Sequence, residues 1–329
     1  MDRRLSMRIG LHVVGLFFCT LVLTACSVVA GPPPVYQAPG AVAASASAPT
    51  VPKDATPKAE LVFTPPLTGV SGFTSGREAA EQFAAHLAEA SGLTITAFVP
   101  TDYGNTLLGL EQGSYDVVYL PAGFYVKARA TLGVVPGYQV QVNGSTTQKG
   151  IILVAADSSI QSLEDLAGKR IAAGDLDSAA SWIVPAAALK QSGVDPFGDV
   201  ETFFEANDVS SVQRLLDGKV DAALVAASVL EDAKLLEANP DLAERVRTLA
   251  EFDNVPIGVI AYRGGLHDDQ IAALNQGLAA LAASPPTVTD ADGNERSLLS
   301  LMGWDGLVPA QEDAFAPVYD AARLLGMIQ

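Results

Sequence analysis

The chain of 329 residues is poor in cysteine, histidine and positive charge, and each shortage removes a class of function. Its two cysteines, Cys19 and Cys26, cannot build a disulfide framework. The three histidines, His12, His86 and His267, lie far apart in sequence, and none stands beside a cysteine in a metal-ligand spacing or a nucleophile triad. Neither a Walker-type loop nor a dinucleotide-binding glycine pattern is present. No cofactor, no metal and no catalytic residue is therefore expected. Lys and Arg number 20 against 37 Asp and Glu, a formal charge of −17 that disfavours nucleic acid as a partner. One long apolar run exists, Ile9 to Leu23, with His12 as its strongly polar member.

That run follows Arg3, Arg4 and Arg8, is short for a membrane span, and ends abruptly, which reads as an export signal over 1–25. Leu23-Thr24-Ala25-Cys26 resembles the lipobox of bacterial lipoproteins, which implies lipidation at Cys26 and an extracytoplasmic, membrane-anchored protein. Removing the leader, three arginines against Asp2, leaves a charge of about −19. Residues 26–58 are rich in Ala, Pro, Ser and Val and read as a disordered tether. About 270 residues follow, more than one core usually serves, so two lobes are expected.

Apolar periodicity gives the order β-α-β-α-β twice. The first set is a strand at Leu61–Thr64, a helix at Gly76–Ser91, a strand at Leu93–Val99, a helix at Thr106–Glu111 and a strand at Asp116–Leu120. The second runs through strands at Lys169–Ala173, Val200–Phe204 and Val220–Ala226, with helices at Ala179–Ser192 and Ser210–Asp217. Apolar strands at Ile151–Val154 and Ile257–Ala261 are expected to be the two hinge crossings, and helices at His267–Ala282 and Glu312–Gly326 to pack on the first lobe. The lobes would be 59–150 with 258–329, and 151–257. Ligands of open α/β sheets bind beyond the carboxyl ends of strands, which selects the residues after Phe63, Val99, Leu120, Ala173 and Phe204, beginning with Thr64.

The sharpest local feature is the strand Lys169–Ala173, its Gly174-Asp175 turn, and a helix entered through Ser178-Ala179-Ala180-Ser181. Free amides at such a helix start form an anion seat, and no Lys or Arg stands between Gly174 and Leu189 to supplement it. An ordinary N-capped helix gives the same pattern.

Several blocks in order make the chain resemble the phosphate/phosphite/phosphonate-type solute-binding proteins of bacterial ABC importers. These are Thr101-Asp102-Tyr103, Gly113 to Val117, Tyr125 to Ala128, Asp157 to Ile160, Leu163 to Lys169, Asp175 to Pro185, Asp217 to Ala223 and Gly303 to Pro309. The resemblance covers roughly residues 60–329. It implies an α/β fold of the two-lobe, type II periplasmic-binding class with two hinge crossings and a cleft between the lobes. It also implies a monomer that captures a small anionic ligand, a phosphorus oxyanion or organophosphonate, and delivers it to a membrane permease.

By the same resemblance, the oxyanion head sits on Ser178, Ala179, Ala180 and Ser181, where relatives carry Ser-Thr-Ser-Gly, and Tyr103 is the cleft tyrosine. A histidine of the family falls on Asp208, beside Asn207. A carboxylate there must cap its helix, share a proton with the ligand, or meet a cationic part of the ligand. A family tyrosine is replaced near Gln148-Lys149-Gly150, which leaves Lys149 either near the hinge or exposed at the surface. The loop Leu120 to Tyr125 presents amides or aromatic edges, Tyr125 among them, and Trp182 is either core or a stacking platform. Thr74 or Ser75 either caps the first helix or reaches the cleft. The reduced hydroxyl run keeps open the same fold with another ligand, such as a sulfonate or heterocycle, or a sensor role at a membrane receptor.

Overall fold

Short all-apolar strands need cover on both faces, and the chain supplies it with two six-stranded sheets wrapped by helices. A computed structural model describes residues 35–36, 48–67 and 73–329. The path runs β1 (Val35–Tyr36), β2 (Leu61–Thr64), α1 (Phe73–Ser91), β3 (Ile95–Ala97), α2 (Tyr103–Glu111), β4 (Val117–Pro121), α3 (Ala122–Leu132), β5 (Val135–Gln141) and β6 (Thr147–Ala155). It continues through β7 (Arg170–Ala173), a π-helical turn (Ala179–Ile183) opening α4 (Val184–Gln191), β8 (Glu201–Phe204), α5 (Asp208–Leu216), β9 (Ala222–Ala226), α6 (Ala233–Ala238), α7 (Leu242–Arg245) and β10 (Val246–Pro256). The last stretch holds β11 (Gly258–Tyr262), α8 (Asp268–Ala283), the hairpin β12 (Thr287–Thr289) and β13 (Glu295–Ser297), α9 (Leu298–Leu301), β14 (Gly306–Pro309) and α10 (Ala316–Leu324).

The first sheet has the order β14-β5-β11-β4-β2-β3 and the second β1-β10-β6-β9-β7-β8. In each, a parallel trio (β3-β2-β4 and β8-β7-β9) is continued by antiparallel strands. The apolar runs expected as crossings are instead interior strands: Ile151–Val154 belongs to β6, between β10 and β9, and Val259–Ala261 to β11, between β5 and β4. Uninterrupted apolar strands are best buried in a sheet. The crossings are made by a turn and a single residue. Val142 and Ser145 exchange backbone hydrogen bonds around Asn143 (φ 53°) and Gly144 (φ 73°), both left-handed as a two-residue hairpin turn requires. Ile257 alone makes the return, its N–H bonded to the Thr146 carbonyl and its carbonyl to the Ala122 N–H.

α10 departs from the expected packing. It touches α4 and the π-helical turn as well as α3. Its Val318, Ala321 and Ala322, with Phe315 just before it, join Tyr125, Trp182 and Ile183 in one apolar cluster that spans elements of both sheets. Part of the expected tether is likewise ordered. The Asp54 carboxylate accepts from Arg263, the Asp54 N–H donates to the Gly265 carbonyl at 2.7 Å, and Lys58 Nζ lies 2.8 Å from the buried Asp116 carboxylate. Charged partners on the body fasten residues that composition alone assigns to coil. Among the described residues no helix is long and apolar enough to cross a membrane. Cys26 and the leader lie outside the described residues.

Candidate functional site

The carboxyl ends of the parallel strands meet helix starts around one cavity of about 560 Å³. Three N-caps fix the side chains there. Asp102 accepts from the Asn105 N–H at 2.8 Å, chiefly the bond that holds its carboxyl below the usual range, and so places Tyr103 as the first residue of α2. The Tyr103 ring leans on Phe124 at 4.8 Å, and its hydroxyl accepts from the Leu67 N–H at 3.2 Å. Asn207 caps α5 through the Ser210 N–H at 2.9 Å. Ser178 caps the π-helical turn, its Oγ accepting from the Ser181 N–H at 3.2 Å.

The turn after β7 is built around small residues. A Cβ on Gly174 would stand 2.8 Å from the Ser181 Cβ, and one on Gly150 2.5 Å from the Ala180 carbonyl oxygen, so the helix start presses directly on neighbouring backbone. The wide turn sends the Trp182 and Ile183 amides to the Ser178 carbonyl, at 3.1 and 2.8 Å. The Ala179 and Ala180 amides precede the first intrahelical bonds, and both residues line the cavity.

Asp208, one residue into α5, does not cap that helix. Its Oδ2 accepts from Ser181 Oγ at 3.0 Å and from the Ala226 N–H at 2.9 Å, tying the π-turn, α5 and the end of β9 together. Burial pushes its carboxyl above the usual range, with the Ala226 N–H and Ser181 hydroxyl pulling the other way.

Of the residues expected at the site, Tyr103, Ser178, Ala179, Ala180, Ser181, Asn207 and Asp208 line this cavity. Three do not. Lys149 sits on the opposite face of β6 from the lining Gln148 and pairs with Glu251 and, at 3.3 Å, with Asp253 on β10. Tyr125 is fully buried in α3 with its ring 4.4 Å from that of Phe315, because the expected loop Leu120–Tyr125 is in fact the end of β4 and the start of α3. Thr64 is buried at the end of β2, its hydroxyl without a partner among the described residues. Trp182 is core, edge-on to Phe197 and Phe204. The side chains of Thr74 and Ser75 lie outside the described part of the structure.

Sequence reasoning missed Gln148, Ser228, Glu231 and Asp232 as cavity residues, whereas Pro121, Ala122 and Phe124 of the expected Leu120–Tyr125 stretch do line it. No period-3.6 signal marks the 3-10 turn Ala227–Glu231 that carries Ser228 and Glu231. With Asp175, Asp177 and Asp208 these bring five carboxylates to the wall, and the described lining residues include no Lys, Arg or His. Asp177 is paired with Lys127 of α3 at 3.2 Å, an ion pair that links elements of the two sheets. Close by, a Cβ on Gly123 would fall 1.9 Å from the Asp177 carbonyl oxygen, so only glycine permits this approach. The arrangement offers oriented amides and hydroxyls for an oxyanion and carboxylates for a cationic group.

The profile of the family described as "ABC transporter, phosphonate, periplasmic substrate-binding protein" matches residues 74–315. Among solved structures, a Xanthomonas citri protein bound to ATP superposes with a TM-score of 0.66 at 15% identity, covering 82% of this chain and 98% of its own. PhnD1 from Prochlorococcus marinus in complex with methylphosphonate gives 0.59 at 16% identity, over 82% and 99%. A binding-protein component of an ABC phosphonate transporter from Pseudomonas aeruginosa gives 0.58 at 17%, over 81% and 86%. At these identities the superpositions speak for the fold.

Proposed function

Since the chain belongs to the phosphonate periplasmic substrate-binding family of ABC transporters, an extracytoplasmic family of binding components, we propose that it captures a small organophosphonate or related phosphorus oxyanion. The oxyanion head is seated on the amides of Ala179 and Ala180 and the hydroxyls of Ser178 and Tyr103. The Tyr103 hydroxyl, which accepts from the Leu67 N–H, is the phenol that meets the ligand. The lobes carrying the two sheets close by hinge motion at residues 142–146 and Ile257 and release the ligand to a membrane permease. Cys26 carries the lipid that holds the protein at the membrane, and the binding unit is a monomer.

One observation carries the reading. A cavity lined by the first-turn residues of a helix contains hydroxyl side chains and no basic side chain among its described walls, so an anion held there is held by dipoles. The five carboxylates favour a ligand that also bears an ammonium group, which 2-aminoethylphosphonate supplies.

Titration calorimetry of the protein lacking its leader against phosphate, phosphite, methylphosphonate, 2-aminoethylphosphonate and sulfate tests this. Micromolar binding of a phosphonate, with 2-aminoethylphosphonate at least as tight as methylphosphonate and sulfate weakest, is the expected order. Absence of binding by all four phosphorus compounds overturns it. Cys26→Ala is expected to move the protein from the membrane fraction to the soluble fraction.

A further inference from the structure

A carboxylate in the wall of an oxyanion cavity needs a reason to be there. Asp208 lies within hydrogen-bond reach of Ser181, two residues along the π-turn from Ala179, and lines the same cavity as the Ala179 and Ala180 amides. Both of its donors, Ser181 Oγ and the Ala226 N–H, engage Oδ2. Oδ1 lies beside Gly174, 3.2 Å from where a Cβ would be, so any side chain at that position would crowd this oxygen.

Every other titratable group among the described lining residues is acidic or phenolic. Asp175 and Asp177 stand in the turn after β7, Glu231 and Asp232 beyond β9, and Tyr103 on α2. Asp177 is neutralised by Lys127, and Asp232 caps α6 by accepting from the Leu235 N–H at 2.8 Å. Among the described lining residues no cation offsets a fully ionised phosphoryl group set against an ionised Asp208. At a separation of about 3 Å inside a partly buried cavity that repulsion is weakly screened and opposes binding strongly. One proton between the two groups removes it.

We propose that Asp208 is a specificity-determining residue that reads the protonation of the ligand: in the bound state its carboxyl and one ligand oxygen share a single proton. The proposal rests on the phosphonate reading of the site. A phosphonate monoanion brings that proton as P–OH and donates it to Asp208. A phosphonate dianion, or a sulfonate that has no proton to give, binds only when Asp208 draws one from solvent. The direction in which burial displaces this carboxyl agrees with proton retention.

The test is calorimetry with methylphosphonate and ethanesulfonate at about pH 6 and about pH 9, each in two buffers of different ionisation enthalpy. Above the ligand's second ionisation, wild type is expected to take up one proton per methylphosphonate, with Kd rising about tenfold per pH unit. Asp208→Asn, whose amide donates without titrating, is expected to bind methylphosphonate with no proton uptake and to narrow the preference over ethanesulfonate by about tenfold or more. Phosphonate binding by wild type without proton uptake at high pH overturns the proposal alone and leaves the proposed function standing. Proton uptake undiminished in folded Asp208→Asn overturns it too, since the proton then resides elsewhere. Should wild type bind none of phosphate, phosphite, methylphosphonate and 2-aminoethylphosphonate, the proposed function falls and this proposal with it. Proton uptake by wild type needs no variant to fold.

Discussion

At the scale of single residues, Ser178 and Tyr103 separate a structural role from a binding one. Ser178 already serves the Ser181 N–H as an N-cap, so Ser178→Ala is expected to cost about 1 kcal/mol of stability, roughly 2–4 °C in Tm. Its hydroxyl proton remains for a ligand, and losing that donor from a buried oxyanion adds about 1–3 kcal/mol in binding. Tyr103→Phe removes the hydroxyl that accepts from Leu67 and is expected to weaken phosphonate binding by a similar amount. Calorimetry beside thermal unfolding checks both, and unchanged affinity in both variants would take these residues out of the site. The same scale shows how one residue of strand register decides a role. Gln148 and Lys149 are adjacent in β6, yet the first lines the cavity and the second pairs with Glu251 and Asp253. Side chains alternate across a sheet, and a cation located only to a neighbourhood of the sequence cannot be assigned a face until β10 and β6 are registered.

At the scale of elements, the buried charge that fastens the N-terminal segment is stronger than it is conspicuous. The Asp116 carboxylate is fully buried and accepts from Lys58 Nζ at 2.8 Å, Arg263 Nε at 3.0 Å and the Val62 N–H at 3.1 Å. Asp116→Asn leaves two cations facing a neutral group and is expected to cost about 3–5 kcal/mol, which a drop in Tm measures. By contrast the Lys127–Asp177 pair, 44% and 13% exposed, is expected to change stability by less than about 1 kcal/mol when Lys127 becomes Ala. Clean periodicity made β2, α1, β4, β7, α5, β9 and α8 legible in the sequence, most of them within a few residues of their ends. The elements that were not legible share a physical cause. β5 carries Pro136 and Gly137, which read as a turn, and α3 follows Pro121 and contains Gly123, which read as a loop. β10 changes register between Thr248 and Ala250 and again between Phe252 and Val255, so its alternation is broken twice. The cavity residues on the turn after β9 were lost, while Ala122 and Phe124 were expected near the ligand but in a loop rather than on α3. Those at the starts of α2 and α5 came from the family resemblance and those of the π-turn from its helix-start pattern, all at places to which strand-end topology also points.

At the scale of the whole molecule, charge and site make opposite demands on an anion. The chain carries −17, so under the proposed function a dianion approaches against the long-range field and is then held by short-range dipoles within a cavity whose lining adds five carboxylates. The two effects separate in kinetics. Raising ionic strength from about 20 mM to about 200 mM shortens the screening length from about 20 Å to about 7 Å, which removes most of the repulsion felt during approach and little of the contact energy. Trp182 lies in the π-turn whose neighbours line the cavity, which makes its fluorescence a reporter in stopped flow. The association rate of methylphosphonate is expected to rise severalfold over that range while its dissociation rate stays nearly constant, the reverse of the usual salt effect on a charged ligand meeting a complementary patch. For 2-aminoethylphosphonate, whose ammonium offsets part of the head charge, the rise should be smaller. An association rate that falls with salt would mean that a local positive field steers the anion, and the view of this cleft as a dipole-lined seat in an acidic protein would have to be given up.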